Sequence, residues 1–463
     1  MTSFALPCYA AGRTMYIRKI WIENIRCFGA DERRVELDLT RPDGSLAGWT
    51  VVAGRNGAGK SSFLKAIALA VAGPSAARSL VPSGFAGWIR KGAQSSGYMG
   101  VELDCFDGGD GFTGAGTTPK EAFWADLILE PQPEGPEPKV AAYEAGKRLK
   151  HAERGPWAEN PRGWFLAGYG PYRRLSGHTV ESVRVMAGPG RFARVVSLFR
   201  EDASLAECVD WLRSDVYLRR LEGRPGAKEL EESVIALLNH DDLLPGGLKI
   251  HHIDSEGLWT ERGGVLLPLQ DLSDGYRTVI ALVVDLIKQI HGCFGSFELH
   301  EEEEGTLFAH YMGVVLIDEM DIHLHVEWQQ RIGFWLKKHF PGIQFIVTTH
   351  SPFICQAADP KGLIRLPAPG KDERAEHVSE ELFKTIVNGG ADAAAVTALF
   401  GLDHTHSDRA EKLREDIAQL EAKVIRGKAT KEEEEELERL SADLPDTGSV
   451  AVERALRAAR AAE

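Results

Sequence analysis

The most chemically suggestive run in the chain is Gly54–Ser61, GRNGAGKS, which fills the eight positions of the phosphate-binding P-loop pattern. It follows a short β-branched stretch, Trp49–Ala53, and opens an apolar helical stretch, Ser61–Ala72, which is the setting the chemistry needs. Glycines 54, 57 and 59 allow a tight turn whose N–H groups point at an anion, with Asn56 and Ser62 completing the cradle. Lys60 would carry positive charge to the phosphate oxygens, and the Ser61 hydroxyl would ligate Mg²⁺. A glycine-rich turn matching by chance is worth roughly a few per cent in a chain this rich in glycine.

Two further runs reduce that chance. Val314–Glu319, VVLIDE, is an apolar strand ending in two acids, and in doubly wound sheets ligands bind at that strand end. There Asp318 would hold Mg²⁺, and Glu319 would orient and polarise an attacking water. Leu272–Arg277, LSDGYR, precedes the apolar helix Thr278–Ile290, so Ser273 and Gly275 sit at a positively polarised helix N-terminus suited to an anion. Ser273 equally reads as an ordinary N-cap.

These motifs need strands and helices that alternate, and the chain supplies them. Tyr16–Phe28 alternates apolar and polar residues as a half-buried strand, helical spacing returns between Ser204 and Asn239, and Val314–Ile317 reads as a strand of a parallel sheet. Residues from about 107 to 160 are rich in glycine, proline and charge, and read as a surface insertion carrying little core. In the tail, Leu413, Ile417, Leu420 and Val424 keep 4-3-4 spacing, and Thr430 with Glu433 forms a capping box after Gly427, predicting a helical hairpin. The resulting division is a head over 1–370, with a signature-bearing helical subdomain at about 195–292, and a helical region over 371–463.

Composition sets the outer limits. The 463 residues are 43% apolar and 26% charged, contain no continuous apolar run long enough to span a bilayer, and carry six scattered cysteines without a CxxC pair. A reducing cytoplasm is the expected address. A net charge of −14 argues against a uniformly basic nucleic-acid binder, while leaving local basic patches open. His323 and His325, and His404 and His406, have no third ligand nearby and are not expected to hold metal. Arg173 and Arg174 are candidates for a phosphate contact, of nucleotide or DNA, beside the plainer reading of paired surface arginines; the basic cluster Arg191–Arg200 is similar.

Taken in order, the motifs resemble the ABC ATPase superfamily: Walker A at 54–61, signature at 272–277, Walker B at 314–319, and a switch histidine, His350, in TTHSP. IENIRCF ahead of the P-loop is similar to the opening strand of RecF, SMC and Rad50 heads, and LSDGYR departs from the transporter signature. GYGPYRRL (168–175), LIDEMDIHLH and FIVTTHSPF resemble the ATPase subunits of bacterial anti-phage systems of the Septu type, which work with an HNH nuclease.

The resemblance implies an α/β ABC-type P-loop head with a helical signature subdomain and a helical C-terminal region, using ATP and Mg²⁺. It also implies Gln94 as a glutamine-loop ligand to Mg²⁺, Asp321 as a contact to a second protomer, and a head-to-tail homodimer in which Ser273 and Gly275 of one copy complete the γ-phosphate shell of the other. An HNH nuclease partner and possible DNA binding follow from it, while the lack of a long apolar run predicts no membrane partner. A DNA-repair or chromosome clamp is the alternative. A self-contained nuclease of the OLD type is disfavoured, because the residues after Ser351 offer GLIRLPAPG and an alanine-rich helix in place of the acids that a Toprim domain needs.

Overall fold

Alternation in YIRKIWIENIRCF becomes β1 (Ile17–Glu23), with Ile17, Ile20 and Ile22 buried. The remaining strands, in chain order, are β2 (Val35–Asp38), β3 (Gly48–Ala53), β4 (Gly97–Leu103), β5 (Phe123–Gln132), β6 (Gly135–Ala142), β7 (Leu166–Tyr169), β8 (Lys249–Asp254), β9 (Gly257–Arg262), β10 (Val265–Pro268), β11 (His300–Glu301), β12 (Leu307–Phe308), β13 (Gly313–Ile317), β14 (Ile343–Thr348), β15 (Leu363–Arg365) and β16 (Glu376–His377). The computed structural model describes residues 15–93, 95–105, 109–143, 147–159, 162–173, 190–201, 205–302, 305–397, 399–402, 404, 406–444, 455 and 457.

Two sheets enclose the helix that follows the glycine-rich loop. One is antiparallel in the order β2-β1-β4-β5-β6. The other, β16-β15-β3-β14-β13-β7, is parallel apart from β16 at its edge. Between them lies the helix Lys60–Leu80, whose Phe63, Leu64, Ile67 and Leu69 are buried with Ile20, Met99 and Leu127 on one side and Val52, Val314 and Ile346 on the other. By length and composition this helix could cross a bilayer, but it is 72% buried over its most apolar stretch, as a core helix is. Gly73, at φ +86, and Pro74 break it into two segments. The sheets are tied by Gln344 on β14, whose buried amide bonds both the N–H and the carbonyl of Ile17 at 2.9 Å.

Three expectations change. Residues 107–160 are not merely a surface insertion: Phe123, Ala125, Leu127 and Leu129 alternate inward along β5 and form part of the core. The period-2 pattern of FWADLILE is strong, but glycine and proline on either side mask it. The signature-bearing region is not purely helical either. Besides the helices Ala206–Trp211, Ala227–Leu238 and Asp274–Phe294, it carries the antiparallel sheet β10-β9-β8, with Gly263 and Gly264 turning β9 into β10. Third, β16 at Glu376–His377 joins the edge of the parallel sheet, and the first compact unit runs to Ala394, past the expected boundary at 370.

The second unit, Ala395–Glu463, contains the helices Asp408–Ile425 and Lys431–Ser441. Thr430 and Glu433 form the reciprocal capping box, Gly427 turns at φ +64, and Lys423 pairs with Glu433 across the hairpin. Of the spaced apolar residues Ile417 is buried and Val424 is exposed.

Candidate nucleotide site

The parallel sheet gathers the motifs at one edge. β14 lies between β3 and β13, so the loop after β3, the acids after β13 and the switch segment after β14 emerge side by side. Gly57 (φ +80) and Gly59 (φ +98) occupy the left-handed conformations the turn requires, and Gly59 caps the helix. A side chain on Gly59 would collide with Cys27 and with Phe28, 3.0 Å away, so the IENIRCF segment walls the loop. Arg26 in that segment stacks on Trp88 at 4.1 Å and donates to the Ser62 hydroxyl at 3.4 Å.

Lys60 is buried, and its ammonium donates to the carbonyls of Gly54 at 2.9 Å and Arg55 at 3.4 Å. Burial lowers its pKa, and the charges of Glu319, Asp318 and Asp321 push it back up. Those acids therefore face the loop. Asp318 is buried, and its Oδ1 accepts the Thr348 hydroxyl at 2.6 Å, while the same hydroxyl oxygen accepts the Glu319 N–H at 2.8 Å. Thr348 thus fixes both acids from the neighbouring strand. Glu319 has φ +48, an uncommon conformation for a residue with a side chain, held by these bonds. Its carboxyl pKa is raised, first by burial and then by Asp318 and Asp321, against the opposing pull of Lys60 and Arg173.

The third acid braces the switch. Asp321 Oδ1 accepts the hydroxyl of Thr349 and the N–H of His350 at 3.0 Å. His350 is exposed, and its imidazole pKa is lowered by desolvation and by the Lys60 charge.

Arg173 is not a surface phosphate contact. It is 2% exposed, and its guanidinium donates to the carbonyls of Gly170 at 2.9 Å, Asp318 at 2.7 Å and Glu319 at 3.0 Å, which places a buried cation beneath the acidic turn. Desolvation lowers its pKa to about 10, so it remains charged at neutral pH. Sequence reasoning missed this role, and it missed Thr348. The local sign of the first is an arginine four residues after the end of the buried LAGY strand.

Ser273 occupies the N-cap of the helix Asp274–Phe294, but its side chain makes no capping bond and it is exposed. The ordinary N-cap reading therefore fails for the hydroxyl, which is left facing outward. Gly275 packs so closely on Trp328 that a Cβ would lie 2.9 Å from its ring, while Tyr276 meets the same ring edge-on at 4.6 Å. Gln94 and Arg174 lie outside the described residues. His325 caps the helix Val326–His339 through its ring nitrogen, and His404 bonds the carbonyl of His406 at 2.9 Å.

Residues 201–356 match the family described as "AAA domain, putative AbiEii toxin, Type IV TA system", and residues 19–100 match one described as "AAA domain". Over 341 residues the chain is 27% identical to the Septu protein PtuA of Bacillus mycoides, covering 74% of this chain and 39% of that one. It is 38% identical over 122 residues to the "Retron Ec83 probable ATPase" of Escherichia coli, covering 26% of this chain and 21% of that one. The chain thus spans less than half the length of these curated relatives. Among solved structures, the SMC head domain from Thermotoga maritima superimposes with a TM-score of 0.42 at 16% identity, over 79% of this chain and 100% of that one.

Proposed function

We propose that this chain, an ABC-type P-loop ATPase head, hydrolyses ATP with Mg²⁺ and is the nucleotide-dependent subunit of an anti-phage complex that governs a separate HNH nuclease. The observation that carries the first part is that Lys60 lies at the same sheet edge as Asp318 and Glu319, where the carboxylates raise the pKa of the lysine and the lysine lowers that of Glu319. The pair is what phosphoryl transfer needs: a cation for the phosphate oxygens beside a carboxylate for the water.

Several features fit the bound groups. The left-handed Gly57 and Gly59 give the loop the tight turn that a phosphate cradle needs, and Ser61 lies in the first turn of the helix beside them. Asp318, oriented by Thr348, would hold Mg²⁺ with Ser61. When bound, the ion neutralises charge on the phosphates. Glu319, with its raised pKa, accepts a proton from water more readily than an ordinary surface carboxylate. Arg173 steadies the acidic turn without touching substrate. His350, held by Asp321 at its amide, would approach the γ-phosphate.

The outward Ser273 hydroxyl supports completion of the site in trans, by a second copy stacked head to tail. Control of a nuclease rests on the resemblance to Septu proteins and on the acids already engaged in the ATP site. Hydrolysis of a phosphodiester usually needs metal-holding carboxylates or a histidine base of its own. The test incubates the purified chain with plasmid and single-stranded DNA, Mg²⁺ or Mn²⁺, with and without ATP, then repeats it with the product of the neighbouring gene. The expected result is ATP turnover by the chain alone and DNA cleavage only with the partner. Metal-dependent cutting by the chain alone would overturn the division of labour, and DNA binding with no cleavage in either arm would favour the clamp.

A further inference from the structure

Away from the nucleotide site, His240 and Asp241 follow the helix Ala227–Leu238 of the signature-bearing region, and His339 ends the helix Val326–His339 that follows the acidic turn. Their ligand atoms lie within 4.8 Å of one another. The hydrogen bonds of the two rings fix their tautomers. His339 Nδ1 lies 2.5 Å from the Leu307 carbonyl and His240 Nε2 lies 3.0 Å from the Gly305 carbonyl; a carbonyl only accepts, so each of these nitrogens carries the proton. The remaining nitrogens, His240 Nδ1 and His339 Nε2, are buried and make no hydrogen bond. Each faces an oxygen of Asp241 at 3.3 Å, Oδ1 for His240 and Oδ2 for His339.

Two nitrogen lone pairs turned on one carboxylate are unfavourable unless a cation lies among them. Donor atoms each about 2.0–2.1 Å from a tetrahedral ion are about 3.3 Å apart, which matches the separation of His240 Nδ1 from Asp241 Oδ1, with His339 Nε2 at the other oxygen of the same carboxylate. A ring whose second N–H is donated to a backbone carbonyl is also the usual state of a metal-bound histidine. Lys338 Nζ, 2.5 Å from Oδ2, satisfies one carboxylate oxygen and leaves Oδ1 to a metal. A cavity of about 330 Å³ bordered by Asp241, Trp335 and Lys338 adjoins the carboxylate.

We infer that His240, Asp241 and His339 form a divalent transition-metal site, with Zn²⁺ as the matching ion, that staples the signature-bearing region to the helix behind the acidic turn. The same junction already holds bonds from Trp328 to the Leu243 carbonyl at 2.8 Å and from Trp335 to the His240 carbonyl at 3.1 Å. The metal would therefore set how firmly Ser273 is carried on the nucleotide-binding core.

The test uses the full chain, purified without chelator or metal-affinity resin, and reads metal rather than turnover. Mass spectrometry after equilibration with Zn²⁺ is expected to give about one ion per chain, and Co²⁺ in its place to give the visible bands of a four-coordinate nitrogen and oxygen site. His240→Ala should weaken Zn²⁺ binding at least about tenfold, since loss of even an outer-shell partner costs that much, while leaving the circular dichroism of the metal-free chain unchanged. His339→Gln should do the same; because His339 is fully buried, His240→Ala carries the test if that variant fails to fold. Absence of Zn²⁺ at saturating concentration, or equal Zn²⁺ affinity in wild type and His240→Ala, overturns the site.

Discussion

The side chain of Arg173 donates to the main-chain carbonyl of Asp318 at 2.7 Å, from a position with almost no exposure to solvent. The acid that would hold the metal is thus fixed through its backbone by a buried cation 145 residues away in the chain.

Arg173→Met should destabilise the first unit by about 3–5 kcal/mol, because it removes one partner of a buried charged network and leaves carbonyls unpaired. Arg173→Lys should rescue only part of this, since an ammonium lacks the planar fork that reaches Gly170, Asp318 and Glu319 together. Urea denaturation of both variants checks the order. Wild-type stability in Arg173→Met would show that these bonds do not hold the acidic turn.

Glu319→Gln should bind ATP as wild type does and lose about 10²–10⁴-fold in turnover, whereas Lys60→Ala should lose binding itself. The glutamine variant carries a second signature. Because the native carboxyl has a raised pKa, the native state binds protons more readily than the unfolded chain, so stability falls as pH rises through that pKa. Removing the carboxylate should therefore raise Tm at pH 7 and leave it unchanged below about pH 4, where both states are protonated. Calorimetry at the two pH values separates these cases.

Acidification should abolish turnover as Glu319 protonates, beginning above the ordinary carboxylate range because burial and the charges of Asp318 and Asp321 raise its pKa. Asp321→Asn removes one of those charges yet keeps an oxygen for Thr349 and the His350 amide. The acid limb of the kcat profile should move to lower pH in this variant. A limb that stays in place would assign it to another group.

Much of this site was legible because its motifs are contiguous: GRNGAGKS carries turn, helix start and chemical groups within eight residues, and VVLIDE carries strand and acids within six. Arg173 was not, because an arginine inside GYGPYRRL looks like any surface pair until Asp318 and Glu319 are folded over it. The order of β3, β14 and β13 was also hidden, since nothing local in Ile343–Thr348 says which strands flank it. The β5 core was overlooked through the glycine and proline around it, although Phe123, Ala125, Leu127 and Leu129 state it plainly.

Ser273→Arg should leave ATP binding by an isolated chain intact and lower turnover by about 10²-fold, as loss of one oxyanion-stabilising donor does. Mixed with Lys60→Ala, it should regain activity, because a head-to-tail pair then contains one site with an intact loop and an intact signature. Mixed dimers demonstrated by light scattering or mass spectrometry, yet inactive, would reject sharing in trans.

Thr348→Val keeps the shape of the strand while removing the hydroxyl that donates to Asp318 and accepts from Glu319. The expected cost is about 1–3 kcal/mol of stability, with a turnover loss larger than any change in ATP affinity. Equal losses in binding and turnover would make Thr348 merely structural.

The placement of β14 beside β3 also governs how the protein is made. Gln344 pairs with Gly48, nearly three hundred positions earlier, whereas the antiparallel sheet closes entirely within residues 17–142. During synthesis the antiparallel sheet can assemble early, while the phosphate loop waits for its flanking strands until about residue 365 has left the ribosome. A nascent chain, or one truncated before about residue 365, would carry the complete GRNGAGKS sequence without the strands that flank its loop, so synthesis as far as that point itself gates when a nucleotide site can first assemble.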